Sequence, residues 1–88
     1  MTEGEMMAIG VRAQALLDDE VFVASLSVIA AGCVEAWKAS GSVEEREAAH
    51  ARLVALNAVA AELRGIASQG RRIAAEIERR RAERKTER

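Results

Sequence analysis

The residue types in this chain that could take part in chemistry are one thiol, one imidazole and a set of guanidinium groups. Cys33 and His50 are the only cysteine and the only histidine among the 88 residues. A thiol beside an imidazole can form a nucleophile and its base. The sequence offers no residue to orient the imidazole and no oxyanion donors. We therefore interpret Cys33 as a small buried hydrophobe and His50 as its polar neighbour.

Other patterns that carry catalysis are missing from the sequence. It contains no glycine-rich phosphate loop, no histidine-containing metal motif and no nucleophile elbow. The sequence therefore predicts a protein that is not an enzyme and that uses no cofactor and no metal. Turnover that is lost in a Cys33→Ser variant would contradict this prediction.

The guanidinium groups concentrate towards the C-terminus and could bind anions. Arginine makes bidentate contacts with phosphate, and such binding depends on salt. The candidate contacts to DNA, another anion or an acidic partner are Arg71, Arg72, Arg79, Arg80, Arg81 and Arg84. Four glutamates are interleaved with them, and no aromatic side chain is present there to stack on bases. The alternative interpretation is a solvated helix end with alternating charges.

The charge distribution and the hydropathy restrict the class of protein. Residues 1–47 hold nine acids and three bases, whereas residues 48–88 hold five acids and ten bases. This asymmetry is typical of an anion-binding end or of two halves that attract each other. The uncharged run 21–34 is shorter than the roughly 20 residues that span a bilayer. No membrane contact and no signal peptide are predicted, which favours a cytoplasmic location.

The composition predicts an all-α protein with a kink and a turn. Alanine occupies 19 positions and proline none, which favours helix throughout. The acidic pair at 18–19 predicts a break between helices at about 4–17 and 20–39. Gly41 predicts a left-handed residue that ends the second helix. Ser42 and Glu45 predict a capping box that begins the third.

The third helix carries an apolar stripe, which predicts how the helices pair. Its members follow each other at steps of three and four and form a coiled-coil-like seam: Leu56, Val59, Leu63, Ile66, Gly70, Ile73 and Ile77. A fold at Gly41 pairs positions whose numbers add to about 82, so that apolar residues meet along both arms. Glu3 and Glu5 then lie near residues 77–79, where arginines can pair with them. The predicted fold is a long antiparallel helical hairpin over residues 1–78, followed by an Arg-rich charged helical tail over residues 79–88.

The helix over residues 20–39 is apolar on nearly every side, so one neighbouring helix cannot cover it. A chain of this length without a disulfide or a metal has little core of its own. We therefore predict a homo-oligomer. The predicted core and oligomer interface consists of Phe22, Leu26, Ile29, Val34, Trp37, Leu56, Leu63, Ile66 and Ile73. Trp37 fits either an anchor in this interface or a contact for another partner.

Four short segments resemble small all-helical proteins encoded in tailed-phage and prophage gene clusters. They are residues 15–22 (ALLDDEVF), 35–38 (EAWK), 45–47 (ERE) and Gly70, within a resemblance over about residues 12–75. Those proteins tend to have a proline after the acidic break, where this chain has Glu20. The resemblance implies a phage or phage-derived origin, in the host cytoplasm or in a phage particle. Neighbouring genes commonly concern DNA packaging and head assembly, including small terminase subunits with helical-hairpin cores in rings.

Two functions follow as hypotheses. The first is an oligomeric helical protein that assists DNA packaging or particle assembly, with itself, a phage packaging or head protein and DNA as partners. The second is a small phage-encoded inhibitor or adaptor that binds a single host protein, with the acidic half imitating nucleic acid. A large oligomer that is stable in salt favours the first hypothesis, and a monomer or dimer favours the second.

Overall fold

Three α-helices make up the protein in the computed structural model, which describes residues 1–86. They are α1 (Glu3–Asp18), α2 (Glu20–Ala39) and α3 (Val43–Thr86). α1 and α2 follow each other along α3, which runs in the opposite direction, and the molecule measures 71 × 24 × 20 Å. The predicted all-α class and antiparallel hairpin are confirmed. Of the predicted tail over residues 79–88, the last two residues lie outside the described range.

The break between α1 and α2 lies at the predicted acidic pair. Asp19 has φ −75° and ψ 118°, which is extended rather than helical. Its carboxylate accepts a hydrogen bond of 2.8 Å from the backbone N–H of Phe22 and so caps α2. At the start of α1, Thr2 and Glu5 form a capping box that the sequence analysis did not identify.

The turn between α2 and α3 differs in two respects from its prediction: Gly41 is not left-handed, and the Glu45 carboxylate bonds the N–H of Gly41 rather than that of Ser42. Among the described residues no glycine has a positive φ, so the left-handed conformation predicted for Gly41 is wrong. Ser40 caps the C-terminal end of α2 instead, and its hydroxyl donates to the carbonyl oxygen of Trp37 at 2.6 Å. The Glu45 carboxylate accepts from the backbone N–H of Gly41 at 2.8 Å, and Ser42 Oγ accepts from Glu45 N–H at 3.1 Å. The Ser40 hydroxyl and the Glu45 carboxylate thus pair the polar groups that a left-handed residue would otherwise serve, and Ser42 caps α3.

The backbones of α1 and α3 touch at a pair of glycines. A Cβ built on Gly10 would lie 3.0 Å from Cα of Gly70 and 3.2 Å from the carbonyl oxygen of Ile66. A Cβ built on Gly70 would lie 3.1 Å from Cα of Gly10. A side chain on either residue would push the two backbones apart by a few tenths of an ångström or more. Gly70 therefore permits the two helices to come together at this point of the seam.

Small residues, rather than large ones, occupy the centre of the seam. The buried positions are Gly10 and Ala13 in α1, Cys33 in α2, and Ala49, Ala67 and Gly70 in α3. Val59 is 52% exposed, so its predicted place on the seam is wrong, and Ala60 next to it is half-buried. Small side chains at the contact shorten the distance between helix axes. The larger side chains therefore lie on the flanks.

The hairpin has two layers of helix and leaves much of its surface open. Among the described residues no large side chain is fully buried. The accessible surface is 6704 Å², whereas a compact monomer of this mass exposes roughly 5,000 Å². A single chain therefore does not build a core in which large apolar side chains are enclosed.

Candidate interaction surfaces

The predicted core and interface residues fall into two groups. Those that lie half-buried along the seam are Phe22, Leu26, Leu56, Leu63, Ile66 and Ile73. The other three are exposed: Ile29 by 52%, Trp37 by 51% and Val34 by 38%. The first group holds the hairpin together. The second group contributes to the outer surface of α2.

α2 is the most apolar helix and also the least covered. Val21 is 75% exposed and Val28 is 72% exposed. The helix has a mean hydropathy of 1.5 over its most apolar window, of which 6% is buried. Its 20 residues are long and apolar enough to cross a membrane by length and composition, a test that core helices and signal sequences also pass. The exposed apolar surface of α2 can be buried only by something other than α3.

One side of the hairpin is polar along α3. Two grooves open on this side, the first lined by Cys33, Val34, Trp37, Ala49, His50 and Leu53. The second is lined by Gln14, Leu17, Asp18, Arg64, Ser68 and Arg71. His50, Arg64 and Arg71 are separated by multiples of seven residues, which places them on the same flank of α3. We call the flank with Gln14, Asp18, His50, Arg64 and Arg71 the polar side.

The opposite flank carries a column of apolar residues on each helix, with Arg52 and Arg80 at the two ends of the α3 column, and we call it the apolar side. Helical periodicity places these residues there: Ile9 and Leu16 in α1, Val21 and Val28 in α2, and Val59, Ile66 and Ile73 in α3. Members of each helix are seven residues apart. The stretches 21–34 and 53–61 contain no charged residue at all. Val21 and Val28 are its most exposed members.

The structure brings Cys33 and His50 together, as the hairpin registry predicts. Both line the groove that also holds Trp37. Cys33 is 8% exposed, whereas His50 is exposed. Within residues 1–86 no hydrogen bond joins the thiol to the imidazole, and no third polar group orients the ring there. The arrangement fits a packed thiol beside a polar neighbour.

Several of the candidate anion-binding arginines contact glutamates one turn away. Arg79 donates to Glu76 at 3.0 Å through Nε and to Glu83 at 2.6 Å through Nη1. The hydrogen bond from Arg79 lowers the pKa of Glu76, and the same bond raises the pKa of Arg79. Arg81 pairs with Glu78 at 3.1 Å. These exposed pairs reduce the positive charge available to an external anion.

Two other arginines join α3 to α1. Arg71 Nη1 donates to Gln14 Oε1 at 2.7 Å. Arg80 Nη2 lies 3.2 Å from Glu3 Oε2, which confirms the predicted pairing near the ends of the arms. Arg72 and Arg84 are exposed, and within residues 1–86 Arg72 makes no ion pair. The contact of Gln14 with Arg71 could not be predicted from the sequence, because an uncharged amide gives no charge signal.

Comparison with known proteins found no relative. No protein-family model, no curated protein and no solved structure matches the chain. The surfaces described above are therefore the observations that bear on function.

Proposed function

We propose that this chain is a non-enzymatic, self-associating helical protein that assists DNA packaging or particle assembly in a tailed phage or prophage. The observation that carries self-association is the exposure of α2, with Val21 and Val28 more than 70% open to solvent. Burial of apolar surface stabilises an assembly by roughly 25 cal/mol per Å². A continuous apolar surface on a small chain is typical of an interaction site.

The resemblance to phage and prophage proteins and the Arg-rich end of α3 support the role in packaging or assembly. Arg72 and Arg84 are exposed at that end. They would contact the phosphates of DNA without reading its sequence, or an acidic face of a packaging or head protein. Binding of this kind weakens steeply as salt rises.

The test of self-association is the absolute mass in solution, measured by size-exclusion chromatography with light scattering at low and high salt. We expect a multiple of the 9.5 kDa chain mass at both salt concentrations. Apolar contacts are not screened by salt, whereas contacts between exposed charges are. A monomer at every protein concentration would contradict the proposal.

A second candidate function is an adaptor that binds one host protein, and the position of Trp37 favours it. Trp37 is 51% exposed and lines a groove on the polar side, away from the apolar side. A half-exposed tryptophan beside a groove is typical of a binding hot spot. This candidate predicts tight capture of a single host protein that is lost in Trp37→Ala while the mass of the chain is unchanged. Equal capture by Trp37→Ala would count against it.

A further inference from the structure

The apolar positions on α1 and α2 are placed symmetrically about the break between the two helices. The numbers of Ile9 and Val28 add to 37, and so do those of Leu16 and Val21. A two-fold axis perpendicular to the helices requires such spacing. Residue i of one copy then contacts residue j of the other, and residue j of the first copy contacts residue i of the second. On α3, Val59 and Ile66 flank the residues that the hairpin registry places opposite the break. The apolar residues of α1, α2 and the middle of α3 are therefore symmetric about this point, and the same spacing places Arg52 opposite Ile73.

The apolar side of α2 also has the shape that receives a large side chain. Ser25, Val28, Ile29 and Gly32 occupy positions i, i+3, i+4 and i+7, which form a hole for a knob from another helix. A Cβ built on Gly32 would meet nothing within 4 Å, so this corner of the hole is open. The symmetric spacing places Ile9 of a second copy against it.

The charges along the rod select between the two possible orientations of a second copy. The turn end, residues 35–47, holds four carboxylates and two cations. The open end, residues 1–6 with 71–86, holds five carboxylates and seven cations. A parallel pair would place like ends together, whereas an antiparallel pair places the acidic turn end beside the basic open end. Complementary charges of this kind fix the orientation of an interface.

The open surface is large enough for a stable dimer. The 6704 Å² of accessible surface exceeds that of a compact monomer by roughly 1,700 Å². Each partner in a stable interface of standard size buries about 800 Å². The surface that the elongated hairpin exposes beyond that of a compact monomer is therefore about twice what one partner of such a dimer buries.

From these observations we propose that a second copy of the chain covers the apolar side in antiparallel orientation, so that two hairpins form a four-helix bundle. The two-fold axis passes near the break at 18–19 and the middle of α3. α2 of each copy packs against α1 of the other, and the two α3 helices pack against each other. This arrangement is a known solution for two-layer helical hairpins. It rests on the proposed self-association, adds the face and the orientation of the partner, and replaces the large oligomer expected for a packaging role with a dimer.

Two glycine substitutions test the face. Gly32 and Gly65 both have open space where a side chain would go, but only Gly32 lies on the apolar side. Both Gly32→Glu and Gly65→Glu replace a poor helix former with a better one. We expect Gly32→Glu to raise the dissociation constant of the dimer by 100-fold or more, on the order expected for an unpaired charge in an interface. Gly65→Glu should leave it unchanged, and equal effects of the two variants would overturn the proposal.

The orientation is tested by spin labels on Gly41→Cys in a Cys33→Ala background, with the distance measured by pulsed electron resonance. An antiparallel dimer places the two labels at opposite ends, at a separation close to the 71 Å length of the rod. A parallel pair places them within about 20 Å, or two helix diameters. A short distance, or a larger ring with intermediate distances, overturns the antiparallel dimer but leaves self-association intact. A monomeric mass overturns both the antiparallel dimer and self-association. This holds also if the monomeric chain floats with phosphatidylglycerol vesicles, because a membrane rather than a second copy would then cover the apolar side.

Discussion

The two halves of the hairpin differ in how their helices are held together. In the open half, α1 meets α3 through the glycine contact of Gly10 with Gly70, and Arg71 and Arg80 join the two helices. In the turn half, α2 is more apolar than α1, yet Val21 and Val28 remain exposed. Within residues 1–86 no side-chain hydrogen bond joins α2 to α3. The less apolar half is therefore the more completely packed one.

This difference shows that the distance between helices, rather than apolar content, decides burial in a two-helix layer. Dispersion contacts lose much of their energy when a gap of less than 1 Å opens between surfaces. Glycines let the backbones of α1 and α3 touch, so that atoms on both flanks come into contact. α2 presents apolar side chains on all sides, and α3 can cover only one of them. The remainder is available to another molecule.

The largest expected effect comes from filling the glycine contact. Gly70→Leu places a side chain where even a Cβ would lie 3.1 Å from Cα of Gly10, a backbone atom that cannot turn aside. We expect a loss of about 2–3 kcal/mol in the free energy of unfolding, as for other overpacked sites. The measurement is thermal unfolding followed by circular dichroism at one fixed protein concentration. The midpoint should fall by about 10 °C or more.

Gly65→Leu is the matched control for this substitution. It lies on the same helix and replaces the same residue, but a Cβ there meets nothing within 4 Å. Helix propensity alone should then stabilise the variant by roughly 0.5–1 kcal/mol. If Gly70→Leu were as stable as Gly65→Leu, the open half would not be held by the glycine contact.

Local signals in the sequence were sufficient for the hairpin but not for its packing. Capping and turn residues form hydrogen bonds with neighbours within four positions. The break at 18–19 and the turn at 40–42 could therefore be predicted from the local sequence. The contact of Gly10 with Gly70 joins residues 60 positions apart, and nothing local marks Gly10. Val59 fits an apolar stripe as well as Ala60 does. The rotation of α3 about its axis decides whether Val59 or Ala60 points towards α1 and α2. That rotation is set by the close approach of the α1 and α3 backbones.

The candidate surfaces show the same limit. Pairing of Glu3 with the arginine region follows from the registry of the hairpin and could be predicted. The separation of a polar side from an apolar side could not, because it requires the rotation of all three helices. Ile29 and Trp37 were assigned to one surface with Phe22 for their apolar character. In the structure, Phe22 faces the seam whereas Trp37 lines a groove on the polar side.

A smaller effect is expected at the junction of the two halves. Asp19→Ala removes the carboxylate that accepts from Phe22 N–H, and loss of such a cap costs about 1 kcal/mol. Asp18→Ala is the control, because Asp18 ends α1 and accepts only from the Gln14 side chain. Urea unfolding of both variants compares the two positions. A loss as large for Asp18→Ala as for Asp19→Ala would mean that the junction does not depend on the α2 cap.

The smallest effect should come from the ion pair between Glu3 and Arg80 at the end of the open half. Both side chains are about half exposed, so solvent and salt screen their attraction. A double-mutant cycle with Glu3→Gln and Arg80→Gln, measured by urea unfolding, should give a coupling energy of about 0–1 kcal/mol that declines as salt rises. A coupling larger than the loss in Gly70→Leu would mean that charge, rather than backbone contact, holds α1 to α3. The difference between the two halves would then be one of ion pairs, and raising salt would free α1 while α2 stayed in place.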